Sequence, residues 1–502
     1  MRMNRRRFLQ AAAISGAASL VPLYLSRDVF AGYAAKDFNA PLAIPPELKG
    51  RMVGGKRVYD MTLQRGSMQF FEGLDTPTAG INGNYLGPVI RARRGESALF
   101  NVKNQLGEPS TIHWHGLHLP ARMDGGPHQT IAPGQTWRPE FDINQPASTQ
   151  WYHSHMYHRT GVQVYYGLAG LFYIDDEHSQ NMDLPDQYGV NDIPLVIQDR
   201  RFKRDGSFHY ISGMRDQMLG VLGNDILVNG VVRPKYEVRQ KQMRFRILNG
   251  SNARSYNLEF SDQREFVQIA SDGGLLEKAV RMRQLHVSPG ERAEIVVQFE
   301  NNEDVMLQHK PLPENKRARG MMAMMMSGND RPFNVMRFTS HDPQGEVVKI
   351  PARLATIPVW SVADAAVTRR FDLDMQMMGM GMMGGGGNGG GFSINNKSYE
   401  LEHIDAVVRL NDIEIWEFTN NSPMPHPMHI HDIQFRILDR NGKLPPLNER
   451  GLKDTVLVNA DETVRVITKF ENYADENSPY MYHCHILEHE DRGMMGQFVV
   501  KA

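Results

Sequence analysis

The chain has 502 residues, a formal net charge of -1, 41% hydrophobic residues and a single cysteine. This length exceeds what one hydrophobic core supports, so two or three domains are expected. The near-neutral charge excludes the strongly basic surface of a nucleic-acid binder, and the lone Cys484 excludes an intramolecular disulfide.

The N-terminal segment Asn4-Arg5-Arg6-Arg7-Phe8-Leu9-Gln10 sets arginines before a hydrophobic pair, and a mildly apolar run follows from Ala11 to about Leu25. This is the pattern of a twin-arginine export signal over residues 1–35, cut near Ala31 to Ala35. A membrane-spanning anchor is disfavoured because the run is short, rich in Ala, Gly and Ser, and interrupted by Pro22. The expectation is a chain handed to the twin-arginine export machinery, periplasmic in a Gram-negative cell, with no stable membrane anchor.

Three stretches then repeat one pattern. Gly95 to Asn104, Gln242 to Asn252 and Asp412 to Asn421 each read as an alternating strand that ends at turn-favouring Asn residues. A second element recurs after each, at Ala132-Pro133-Gly134, Ser288-Pro289-Gly290 and Asn459-Ala460-Asp461. Copies roughly 150 to 170 residues apart are repeated whole domains, not a solenoid. Short strands with closely spaced turn signals imply an all-β chain of Greek-key barrels, here with domains at 40–178, 190–340 and 350–502. The middle copy lacks histidine clusters and reads as a spacer.

Four clusters carry the chemistry: His113-Trp114-His115-Gly116; Trp151-Tyr152-His153-Ser154-His155; His426-Pro427-Met428-His429-Ile430-His431; and His483-Cys484-His485 with His489 and Met494 after it. The recurring unit is His-x-His, and residues two apart on a strand share a face. The outer domains therefore offer four imidazoles each (His113, His115, His153, His155; His429, His431, His483, His485) to a site closed between them. Cys484 faces the other way and can bind a separate metal. Cys with two His and a weak axial Met is the blue-copper pattern, which His426, Cys484, His489 and Met494 supply. An electron reaching that metal crosses one residue of backbone to either flanking imidazole. One His-x-His strand is commonly a surface pair, but four in register with two repeats are not. Zinc also takes His and Cys, yet this donor set suits it poorly.

These motifs resemble the multicopper oxidase signatures across nearly all of the mature chain. The resemblance implies three cupredoxin-like domains and four copper ions. His113 and His429 match ligands of the type 2 copper; His115, His153, His155, His431, His483 and His485 match those of the type 3 pair; His426, Cys484, His489 and Met494 match the type 1 site. Asp124 matches the acid near the type 2 copper and Glu490 the acid that feeds protons to the type 3 pair. The full ligand set argues against the family's cell-division scaffold branch, whose ligands are lost. The implied partners are O2 and a reductant, with the enzyme a monomer.

For the reductant, the resemblance is nearest to the bacterial copper efflux oxidases, which oxidise Cu(I). Met375, Met377, Met378, Met380, Met382 and Met383 precede a Gly-rich tract to Gly391, and thioethers prefer Cu(I). This reads as an insertion at 375–391. A second run, Met321 to Met326, is either copper-binding or buried. Met424 matches a Cu(I)-site Met of that family, but Ser422 stands where the family has Asp, with Asp372 or Asp374 as candidate replacements. The competing enzyme reading is a laccase acting on phenols or diamines, that is, on small aromatic reductants. Copper storage or chaperoning would explain the Met runs but not the complete ligand set.

Overall fold

The computed structural model describes residues 37–311, 331–375 and 391–502. The export signal, Met377, Met378, Met380, Met382, Met383 and the Met321 to Met326 run lie outside the described residues. The described strands form six sheets, two for each third of the chain. Each pair of sheets encloses its own apolar core: Phe100, Trp114 and Phe172 in the first, Phe245, Phe260 and Phe338 in the middle, Trp416, Phe418 and Phe498 in the last. The architecture is all-β, in three cupredoxin-like Greek-key units.

The repeat read from sequence is a repeat of position. Ser97–Gln105, Gln242–Asn249 and Ile413–Asn420 are strands with equivalent neighbours. Each pairs in parallel with an earlier strand (Lys56–Phe71, Asp192–Arg200, Ala365–Met375) and antiparallel with a later one (Glu140–Asp142, Arg292–Gln298, Thr463–Lys469). The terminal Asn has the same task in each copy. Asn104, Asn249 and Asn420 accept from the backbone N–H two residues on, at 2.9, 3.1 and 2.9 Å. Their amides donate to the carbonyls of Ile131, Val287 and Val458, just before the second recurring element. All three side chains are fully buried, so their polar atoms need these partners. The second element closes the corner: Gly134, Gly290 and Asp461, all at positive φ, donate N–H to the carbonyls of Asn104, Asn249 and Asn420.

In the last copy this corner aims the strand His426–Ile430, since Asn420 also holds the Met424 carbonyl.

Candidate metal centres

The eight imidazoles converge, by a route that differs from the strand alternation expected. His113 makes only an isolated bridge to His153, and His115 sits in a turn. His155, His431 and His485 each lie just past a strand end, after Ser148–His153, His426–Ile430 and Asp475–Cys484. Leaving the strand lets the second ring of each pair swing toward its opposite number. Backbone pairing sets the frame: His113 lies opposite His153, and His429 opposite His483. Between the first and last domains the rings of His113 and His431 stack at 3.8 Å, and those of His115 and His429 at 3.6 Å.

Three histidine triads have donor atoms within 4.8 Å of one another: His113, His429 and His431; His155, His431 and His483; His113, His115 and His153. His485 lies 5.0 Å from His115 and 5.4 Å from His153, ring to ring. All eight rings are fully buried.

Six of the eight rings are oriented by what one nitrogen touches. His113 Nδ1 meets the Asp124 carbonyl at 3.0 Å, His153 Nδ1 the Ser154 carbonyl at 2.8 Å, His429 Nδ1 the Asp454 carbonyl at 2.8 Å and His483 Nδ1 the Cys484 carbonyl at 3.2 Å. His431 Nδ1 donates to Asp124 Oδ2 at 2.6 Å. His115 is reversed: its Nε2 donates to Asp454 Oδ1 at 3.0 Å, leaving Nδ1 to face His153 Nε2 at 3.4 Å. The inward nitrogens His113 Nε2, His429 Nε2, His431 Nε2 and both nitrogens of His485 have no hydrogen-bond partner. Buried nitrogens left bare cost free energy, unless a metal takes their lone pairs. Burial, followed by mutual repulsion, holds His155, His431, His483 and His485 well below the ordinary imidazole range, so they stay neutral as ligands must. The donor set fits copper.

A second buried group lies across the Cys484 backbone. Cys484 Sγ is 3.4 Å from His426 Nδ1 and 3.7 Å from His489 Nδ1, with donor atoms grouped within 4.8 Å. Met494 is fully buried in the same apolar cluster. Cys484 therefore points away from His483 and His485, as alternation requires. Ser422, where an Asp was expected, contacts His426 Nε2 at 2.7 Å. Asp374 accepts from Asn421, the residue before Ser422, at 3.2 Å, and Asp372 is exposed. His489 Nε2 donates to the Met218 carbonyl at 3.1 Å, and Phe392 stacks on its ring at 4.1 Å. Met375 pairs across the sheet with Phe392 and packs on the cluster that holds Met424 and Met218.

Both candidate acids reach the histidines. Asp124 joins His431 to His113, its Oδ1 3.4 Å from His113 Nδ1. Glu490 lies 3.4 Å from His155 Nδ1 and 3.2 Å from His483 Nδ1. Burial, then the Asp491 charge, pushes the Glu490 carboxyl well above the usual range, and Asp491 beside it is raised by burial to about 8. Sequence reading missed Asp454, Arg292 and Glu488. The signal for Asp454 was a charged pair, Lys453-Asp454, opening the buried strand Thr455–Val458. Glu488 accepts from Tyr210, Asn252 and the Val221 N–H, fastening the last domain to the middle one.

Two family models described as multicopper oxidase match residues 62–179 and 367–502. The chain is 34% identical over 450 residues to a multicopper oxidase of Staphylococcus haemolyticus, covering 89% of each. It is also 32% identical over 503 residues to the cell division protein FtsP of Photorhabdus laumondii, covering 99% of each. Among solved structures, the laccase-like multicopper oxidase CueO of an Ochrobactrum species superimposes with a TM-score of 0.81 at 36% identity, over 92% of this chain and 100% of that one. With a buried, copper-fitting donor set framed by matching domains at both ends, the chain belongs to the multicopper oxidase family.

Proposed function

We propose that this multicopper oxidase draws its electrons from Cu(I), in the service of copper tolerance, and uses four coppers. His113 and His429 hold the type 2 ion; His115, His153, His155, His431, His483 and His485 hold the type 3 pair; His426, Cys484, His489 and Met494 hold the type 1 ion. When bound, these ions supply the one-electron steps that carry electrons from reductant to O2. Making water consumes protons as well as electrons. Glu490, whose carboxyl burial pushes well above the usual range and which lies 3.2 to 3.4 Å from two ligand rings, is placed to deliver them. Asp124 orients His431 and lies close enough to exchange a proton beside His113.

The observation that carries the Cu(I) reading is the closure of the Cys484 site. Both imidazole edges that lead outward are already engaged, His426 with Ser422 and His489 with Met218, and all four residues are buried. A flat phenol has no open ring edge to stack against there. A small soft ion needs only thioethers, and Met375 and Met424 lie in the packing around this site. The sequence run from Met377 to Met383 follows directly on Met375.

Domains at 40–178, 190–340 and 350–502 and twin-arginine export of a monomer to the periplasm complete the proposal. No helix among the described residues is long and apolar enough to cross a membrane. A laccase reading is favoured by the likeness to the Ochrobactrum enzyme, which has oxidase activity towards lignin model compounds. A cell-division role is favoured by the full-length likeness to FtsP, but scaffolding does not need buried donors with bare nitrogens.

The test is steady-state oxidation of Cu(I) and of a phenol by one preparation, with oxygen uptake recorded. A higher kcat/KM for Cu(I) is expected. A higher value for the phenol overturns the substrate assignment, and copper binding without oxygen uptake points to storage.

A further inference from the structure

The middle domain supplies none of the ligands assigned above to the four coppers, yet it bears on the histidine cluster at two points. A Cβ on Gly290 would lie 2.8 Å from the His485 ring. Two residues on, Arg292 is fully buried and its guanidinium grips Asp454 of the last domain, Nη1 on Oδ1 at 2.8 Å and Nη2 on Oδ2 at 2.5 Å. The same guanidinium donates from Nε to the Thr149 carbonyl at 3.1 Å and from Nη2 to the Gln150 side chain, both in the first domain. Its backbone N–H and Nη2 also meet Asp272. Gly116, which follows His115, packs against this knot: a Cβ there would lie 2.5 Å from Asp454 Oδ2 and 2.7 Å from Arg292 Nη2. One side chain thus ties three domains at the carboxylate that orients His115 and whose backbone carbonyl orients His429.

We propose that Arg292 is a positioning residue of the trinuclear site: its two-pronged grip fixes the Asp454 carboxylate so that His115 is held with Nε2 outward and Nδ1 toward the metals. The proposal rests on the copper assignment above. The physical reason is geometric. Asp454 Oδ1 also accepts from Thr455 at 2.9 Å, and Oδ2 from Gln434 at 3.1 Å. Only the arginine holds both oxygens in one plane, as a planar fork does and an ammonium cannot. Which nitrogen of a histidine binds metal is set by the hydrogen bond that the other makes. Without the fork the carboxylate is free to rotate off His115, and the ring loses the bond that keeps it reversed relative to its neighbours. The Cys484 site should not feel the change, because none of its residues contacts this network.

The experiment compares the copper-loaded wild type with Arg292→Gln, Arg292→Lys and Asp454→Asn. Asp454→Asn keeps size but can turn a donor toward His115 Nε2. Copper is withdrawn by titration with a chelator, while the blue thiolate absorption, the near-ultraviolet band of the type 3 pair and the type 2 EPR signal are followed. The expected result is trinuclear copper bound about 10- to 100-fold more weakly in Arg292→Gln and Asp454→Asn, the range seen when a ligand's supporting partner is lost. The type 2 signal should change and the blue band should not. Arg292→Lys, which keeps charge without the fork, should not restore wild-type binding. If Arg292→Gln fails to fold, Asp454→Asn decides alone. Wild-type affinity and spectra in Asp454→Asn, or full restoration by lysine, overturn the proposal. A wild type that holds no copper outside the blue site overturns the copper assignment instead.

Discussion

Glu294→Gln tests the seam that holds the first domain's histidine strand in place. Glu294 is buried between Arg244 and Arg246, with Arg244 Nε at 2.9 Å and Arg246 Nη1 at 3.3 Å, and it accepts from the Thr149 hydroxyl at 2.7 Å. Thr149 belongs to the strand Ser148–His153, which carries Trp151 and His153. Burial alone would raise the Glu294 pKa, but the two arginines outweigh it and hold the group at about 2, against an ordinary 4.5. A folded-state value below the unfolded one stabilises the protein above the unfolded pKa, and that stability is lost as pH falls toward the folded pKa. The shift corresponds to about 3 kcal/mol at about pH 6, of which about two fifths remains near pH 3, a loss of about 2 kcal/mol. Removing one partner of a buried ion pair typically costs about 3–5 kcal/mol. The assay is urea unfolding of the copper-free proteins, followed by tryptophan fluorescence. The gap between wild type and Glu294→Gln should be about 3 kcal/mol or more near pH 6 and should narrow by about 2 kcal/mol near pH 3. A gap that stays constant with pH, or one below about 1 kcal/mol near pH 6, would refute the reasoning.

Cys484→Ser should abolish the blue absorption and the oxidase activity while copper still binds the eight histidines, because Cys484 points away from them; persistent blue colour would show that the type 1 assignment is wrong. Glu490→Gln should lower kcat by about 100-fold with copper content intact, in line with loss of a positioned proton donor, and turnover unchanged at saturating donor would reject the relay. Deleting residues 375–391 should lower Cu(I) oxidation and raise phenol oxidation with the blue colour retained. Cu(I) oxidation that survives the deletion would remove the methionine run from the substrate path.

The histidine clusters and the repeat were legible because both are local. His-x-His spacing and the lone cysteine between two histidines mark the ligands without knowledge of the fold, and the alternating strands ending at Asn104, Asn249 and Asn420 mark the copies. The reason the pairs converge was less legible. His155, His431 and His485 act from just beyond strand ends, and where a strand stops depends on tertiary pairing. The supporting shell was hidden for the same reason. Asp454 and Arg292 are 162 positions apart in sequence, and no spacing rule connects an arginine of a domain without histidine clusters to a ligand of its neighbours. The middle copy, read as a spacer, therefore proves to bear on the site through Gly290 and Arg292. Ser422 is a similar case: the substitution was visible, but its contact with His426 was not.

The central claim is that the buried histidines and Cys484 hold copper in the arrangement that reduces dioxygen. The most direct test is metal analysis of the protein loaded with copper, combined with quantitative EPR and oxygen uptake on the same sample. The account predicts about four coppers per chain, of which EPR detects only the type 1 and type 2 ions because the type 3 pair is coupled, together with oxygen consumption when reductant is added. Zinc in place of copper, a blue site with no further copper, or a fully loaded protein that consumes no oxygen would contradict it.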